Sequence, residues 1–83
     1  SVFLSEKQIT PETLEMTLAL NEVAAERGQS LAQMALVWAL EEGRLSSVIL
    51  GASRLAQLEE NVAALKNREF TSEEKRRIEE ILK

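Results

Sequence analysis

Hydrophobic positions recur along most of this chain at the spacing of helices. Between Thr10 and Gly28 the apolar residues Met16, Leu20, Val23 and Ala24 fall on one stripe, and Leu14 and Leu18 widen it. Thr10-Pro11-Glu12 is a strong start signal: a hydroxyl cap, proline at the first helical position and acid in the first turn. The pattern predicts a helix from Pro11 to about Arg27, stopped by Gly28 in a left-handed cap, with Glu15, Glu22 and Glu26 facing water. Ser30 caps a second helix, about Leu31 to Glu42, that ends at Gly43. That helix is apolar nearly all round, so it must be buried on several faces. Covering it fully takes more neighbours than the rest of the chain easily supplies. Trp38, within it, is read as core packing rather than as a ring that stacks on a ligand.

After a turn at Arg44-Leu45-Ser46, the β-branched run Ser47 to Leu50 is the one strand candidate. A lone strand cannot satisfy its own ladder hydrogen bonds. Either other strands flank it, or the segment on its own changes conformation or pairs between copies. A third helix is predicted from Arg54 or Leu55 to Leu65, with Leu55, Leu58, Val62 and Leu65 as its buried stripe. Asn67 is a reasonable left-handed cap beyond it. The last helix spans about 72–82. Thr71 and Glu74 form a capping box there, and Ile78, Ile81 and Leu82 make a thin apolar stripe in a mixed-charge surface.

Composition narrows the chemistry. The chain has 83 residues, enough for at most one small domain with a limited core. A net charge of −4 argues against general nucleic-acid binding. Gln29 to Ala35 has the look of the first helix of a helix-turn-helix. Yet the helix continues apolar through Leu40 and no recognition helix follows within a short turn. The chain has no cysteine, histidine or tyrosine, which excludes disulfides and thiolate metal sites and removes common acid–base groups. No run approaches the ~20 apolar residues of a membrane span, and the composition is that of a soluble cytoplasmic protein. The opening Ser1-Val2-Phe3-Leu4 reads as the middle of a larger body.

The candidate chemistry lies where strand meets helix. Val48-Ile49-Leu50 ends at Gly51, a small polar turn follows, and a helix opens. Strand, glycine turn and helix N-terminus make an anion-binding geometry, because the first N–H groups of a helix lack partners and its dipole favours negative charge. Gly51 permits close backbone approach, Ser53 can cap the helix or donate to an anion, and Arg54 offers a phosphate-binding guanidinium. Gln57, Glu60 and Asn61 follow at helical spacing on one face.

This segment resembles the last strand and following helix of the aldo-keto reductases, especially the branch that includes the potassium-channel β-subunits. The family pattern I-x-G-A-S-x-x-x-Q-L-x-E-N is matched by Ile49, Gly51, Ala52, Ser53, Gln57, Leu58, Glu60 and Asn61. The resemblance extends to Ile9-Thr10-Pro11-Glu12 and to Gly28 through Trp38, so it covers essentially the whole chain. It implies the C-terminal part of a (β/α)8 TIM barrel of the α/β class, the segment itself mainly α with four helices and one short strand. It further implies that Ser53 and Arg54 hold the 2′-phosphate of NADP, that Gln57 helps close that pocket, and that Glu60 and Asn61 meet the adenine edge. The family reduces an aldehyde or ketone with NADPH, using a tyrosine acid assisted by lysine, aspartate and histidine. With neither tyrosine nor histidine, this chain cannot hold that set and should be inactive alone. The partners so implied are NADPH, a carbonyl substrate and the remainder of the barrel. Deprived of the barrel, the segment would associate with itself through exposed apolar faces. The alternative is a freestanding helical interaction domain without catalytic activity.

Overall fold

The structure is a computed structural model that describes residues 10–43, 45–59 and 66–83. The described residues form four helices: α1 (Pro11–Glu26), α2 (Leu31–Glu41), α3 (Ser47–Leu58) and α4 (Ser72–Leu82). Each begins at a hydroxyl side chain that accepts from the backbone N–H three residues on. The caps are Thr10 to Thr13, Ser30 to Gln33, Ser46 to Ile49 and Thr71 to Glu74. The α2 and α4 caps are complete capping boxes, since Gln33 and Glu74 reach back to the backbone of Ser30 and Thr71. The end of α1 is a Schellman turn. Gln29 N–H donates to the Ala24 carbonyl at 2.9 Å and Gly28 N–H to Ala25 at 3.0 Å, which requires the positive φ of 73° at Gly28.

The expected strand is absent. Ser47 to Leu50 forms the first turn of α3, and no strand occurs among the described residues. The reason is hydrogen bonding. An unpaired four-residue strand leaves its donors and acceptors without ladder partners, whereas a helix satisfies them within its own segment. Ser46 completes the arrangement: its hydroxyl accepts from Ile49 N–H at 3.1 Å and its carbonyl from Leu50 N–H at 2.9 Å. The change also gives α2 a neighbour. Val48, Ile49, Ala52, Ser53 and Ala56 turn inward along one side of α3, and α2 and α3 form the most extensive helix pair. Ala32, Met34, Ala35, Val37 and Trp38 of α2 are buried as a result, and Leu40 stays exposed. Much of the apolar surface of α2 is thus covered from within the chain.

The predicted third helix therefore starts earlier and is described only to Leu58, with Glu59 as its cap. Of its expected stripe, Leu55 is half-buried and Leu58 is 74% exposed, while Val62 and Leu65 lie outside the described residues. On α1, Leu20, Val23 and Ala24 are buried as the stripe predicts, but Leu14 and Leu18 point outward. One helix face cannot turn so wide an apolar arc toward a core this small.

Helix α4 is fastened by a guanidinium. Arg27, its side chain 1% exposed, donates to the carbonyls of Asn67 and Glu69, to Gln29 Oε1 and to Glu74 Oε1, each at 2.8 Å. The same group lies 3.9 Å from the centroid of the Phe70 ring. Phe70 in turn meets Trp38 edge to face, with centroids 5.2 Å apart. Glu74 thus serves two functions: its Oε1 also accepts from Thr71 N–H at 2.8 Å.

A second link joins α4 to α1 at the surface. Arg77 grips Glu26 with two hydrogen bonds, at 2.7 and 3.0 Å. These bonds hold the Glu26 carboxyl below its usual range, assisted by the arginine charge and opposed by desolvation. Because the folded value is depressed, the link contributes above the ordinary carboxylate pKa and is lost as pH falls through the folded one. In Arg77→Ala the Glu26 titration, followed by side-chain carbon NMR, should move up to the ordinary range. An unmoved midpoint would show that the link does not persist in solution.

Candidate functional site

The sequence-derived candidates Gly51, Ser53, Arg54 and Gln57 all fall on α3. Glu60 and Asn61 lie outside the described residues. The helix separates the four. Arg54 and Gln57, three residues apart, share its exposed side. Arg54 makes no ion pair among the described residues. Gly51 is half-buried, and Ser53 is turned into the protein, 4% exposed, with its hydroxyl donating to the Leu50 carbonyl at 2.9 Å. The cap of the helix is Ser46, seven positions before Ser53.

Backbone geometry follows from the same shift. In an α-helix the N–H groups of residues 51 to 54 bond to the carbonyls of 47 to 50. They are interior donors, and the free donors of a helix start lie upstream of Gly51. In this conformation α3 offers an anion the side chains of Arg54 and Gln57, while residues 51–54 form no cradle of N–H groups. Residues 51–54 therefore do not fit a nucleotide phosphate as they stand.

A shallow depression of about 300 Å³ between α1 and α4 is lined by Glu12, Glu15, Met16, Ala19, Ile81 and Lys83, and includes none of the candidate residues. Among the described residues no His, Cys, Asp and Glu cluster could hold a metal, and no buried side-chain nitrogen or oxygen lacks a partner. No helix among them is long and apolar enough to cross a membrane. Arg27, the most heavily bonded side chain among the described residues, carries no sign of this role in the sequence. Its partners lie as far as 47 positions away, and no local pattern announces them.

Comparison with known proteins gives a consistent result. A family model described as "Aldo/keto reductase family" matches residues 2–83. The chain is 51% identical over 77 residues to L-glyceraldehyde 3-phosphate reductase of Escherichia coli O157:H7, which covers 93% of this chain and 22% of that protein. It is 39% identical over 62 residues to a probable voltage-gated potassium channel subunit beta of Oryza sativa subsp. japonica, covering 75% and 19%. A putative subunit beta of Schizosaccharomyces pombe is 36% identical over 77 residues, covering 88% and 22%. The chain thus spans about a fifth of the length of these relatives. No solved structure matches it significantly.

Proposed function

The chain belongs to the aldo/keto reductase family, and from that premise we propose that it is the NADP-binding C-terminal segment of a cytoplasmic oxidoreductase. The whole enzyme moves hydride between NADPH and an aldehyde or ketone, on a (β/α)8 barrel. The observation that carries this reading is the ordered run from Ile49 to Asn61, set within a family match that extends over nearly the whole chain. A relative whose name specifies reduction of a phosphorylated aldehyde supports a small aldehyde as the substrate class.

In this reading Ser53 and Arg54 hold the 2′-phosphate, Gly51 lets the backbone approach the cofactor closely, Gln57 closes over the phosphate, and Glu60 and Asn61 meet the adenine. The bound nucleotide supplies the hydride. This chain supplies affinity and the preference for the phosphorylated cofactor, and the remainder of the barrel supplies the acid–base groups that it lacks. Membrane and nucleic acid have no part. Residues 51–54 take this role outside the helical conformation, with their N–H groups turned toward the phosphate.

The test is Arg54→Ala in the whole enzyme. Loss of a charge-assisted contact should weaken NADPH binding roughly tenfold and leave NADH binding unchanged, as read by fluorescence titration. An equal loss for both cofactors would remove Arg54 from the 2′-phosphate.

One observation favours a second reading, a freestanding helical interaction domain without catalytic activity. Leu20, Met34, Trp38, Ile49 and Ile78 are fully buried within the chain itself. The intact mass of the protein as expressed separates the two. Several hundred residues supports the reductase, and a product of 83 residues supports the helical domain.

A further inference from the structure

We propose that Arg27 is a positioning residue for the cofactor segment of the whole enzyme. It fastens residues 67–69 to the turn between α1 and α2, and so holds together the two ends of the stretch that carries Ser53, Arg54 and Gln57. This inference rests on the assignment of those three residues to the cofactor made above.

The fastening is two-sided. The Asn67 carbonyl accepts from Arg27 Nη2 at 2.8 Å and from Gln29 Nε2 at 3.2 Å, while the Asn67 side-chain amide donates to the Arg27 carbonyl at 3.2 Å. Arg27 Nη1 reaches both the Glu69 carbonyl and Glu74 Oε1. Beside this grip, Arg68 Nε donates to Glu41 Oε1 at 2.7 Å, and Lys75 lies 3.5 Å from Glu42. Glu41 and Glu42 end α2, where the helix dipole disfavours acid and no basic residue of the helix itself offsets it. Their partners come from beyond residue 66 instead. The chain that leaves α2 at Gly43 is therefore gripped again, beside its point of departure, at Asn67 and Arg68.

This junction does not depend on the conformation of residues 47–58. None of its bonds involves α3, and α4 packs chiefly on α1. A strand-turn-helix unit of a barrel likewise brings the chain back to the end at which its strand began. Residues 47–50 as a strand rise about 13 Å, and a helix over 54–65 returns about 18 Å. The barrel and the junction are thus compatible. Fixing both ends of the stretch cuts the freedom that Ser53, Arg54 and Gln57 lose when they take up the cofactor.

The test is a double-mutant cycle in the whole enzyme, read by fluorescence titration with NADPH and NADH well below the melting temperature. Arg27→Ala should weaken NADPH binding about fivefold, but less than twofold once Arg54→Ala is present, because Arg27 acts through the groups that it positions. Arg27→Lys, in case the alanine variant does not fold, should weaken binding about threefold and again lose most of its effect beside Arg54→Ala. Leu20→Ala, a core truncation of comparable cost that removes no bond at this junction, should leave affinity unchanged. If Arg27→Ala leaves NADPH affinity within twofold, if its effect is as large beside Arg54→Ala, or if Leu20→Ala matches it, the positioning role is overturned and the cofactor assignment stands. If Arg54→Ala fails to weaken NADPH binding selectively over NADH, the assignment itself fails and the positioning role fails with it.

Discussion

Trp38→Ala is expected to abolish cooperative folding near physiological temperature. The indole is fully buried and meets Phe70 edge to face at an interplanar angle of 87°. It belongs to the same core cluster as Leu20 and Val23 of α1, Val48 and Ile49 of α3, and Ile78 of α4. Truncating a buried tryptophan costs about 3–5 kcal/mol, and the lost aromatic pair adds roughly 1 kcal/mol. A chain of this length has a total stability of about 4–12 kcal/mol, and a small core falls toward the low end. Each kcal/mol is worth about 4–8 °C in a domain of this size, so the melting temperature should fall by about 20 °C or more in a far-ultraviolet circular dichroism scan. Trp38→Phe should recover most of the loss, because a ring can still fill the space beside Phe70. A drop below about 5 °C for the alanine variant would mean that the core does not assemble around Trp38.

Arg27→Ala should be the most damaging substitution of a charged residue. It removes a guanidinium with a 1% exposed side chain, takes that donor from the Glu69 carbonyl, and leaves the Asn67 carbonyl with Gln29 Nε2 and the Glu74 carboxylate with Thr71 N–H in its place. Breaking a buried ion pair from one side typically costs about 3–5 kcal/mol. Glu74 is 23% exposed, so water relieves part of the penalty, and about 2–3 kcal/mol is expected. The loss should appear as a lower urea midpoint at constant m-value. Arg27→Lys should restore less than half of it, since an ammonium carries the charge but cannot present four donated bonds from one planar fork. The control is Arg76→Ala, whose 67% exposed side chain makes only a surface pair with Glu73. Equal midpoints for the two alanine variants would show that Arg27 does not fasten α4.

Local chemistry made much of this protein legible. Thr10, Ser30 and Thr71 can be read as caps because capping depends on a hydroxyl and on N–H groups three residues away. Gly28 can be read as a stop because only glycine takes positive φ without strain. Glu15, Glu22 and Glu26 are outward and Trp38 inward for reasons of solvation alone. The ordered run from Ile49 to Asn61 is likewise plain in the sequence, and with it the family to which the chain belongs.

What escaped was whatever depended on a distant partner. Ser47 to Leu50 has the composition of a strand, yet composition expresses a preference that only neighbouring strands can satisfy. With none among the described residues, α2 decided the outcome by offering apolar surface to a helix instead. That choice moved the cap from Ser53 to Ser46 and turned Ser53 inward while Arg54 faced out. Leu14 and Leu18 extend an apolar stripe whose width the sequence shows, but how much of it meets a core depends on the neighbouring helices. Arg27 beside Gly28 gives no local sign of the partners that it finds 40 to 47 positions later. The sequence by itself determined where α1, α2 and α4 start and stop and which residues resemble a nucleotide site, because those depend on groups a few positions apart. Only the tertiary structure decided whether residues 47–50 are strand or helix, because the hydrogen bonds and apolar contacts that separate the two states are made with other parts of the chain.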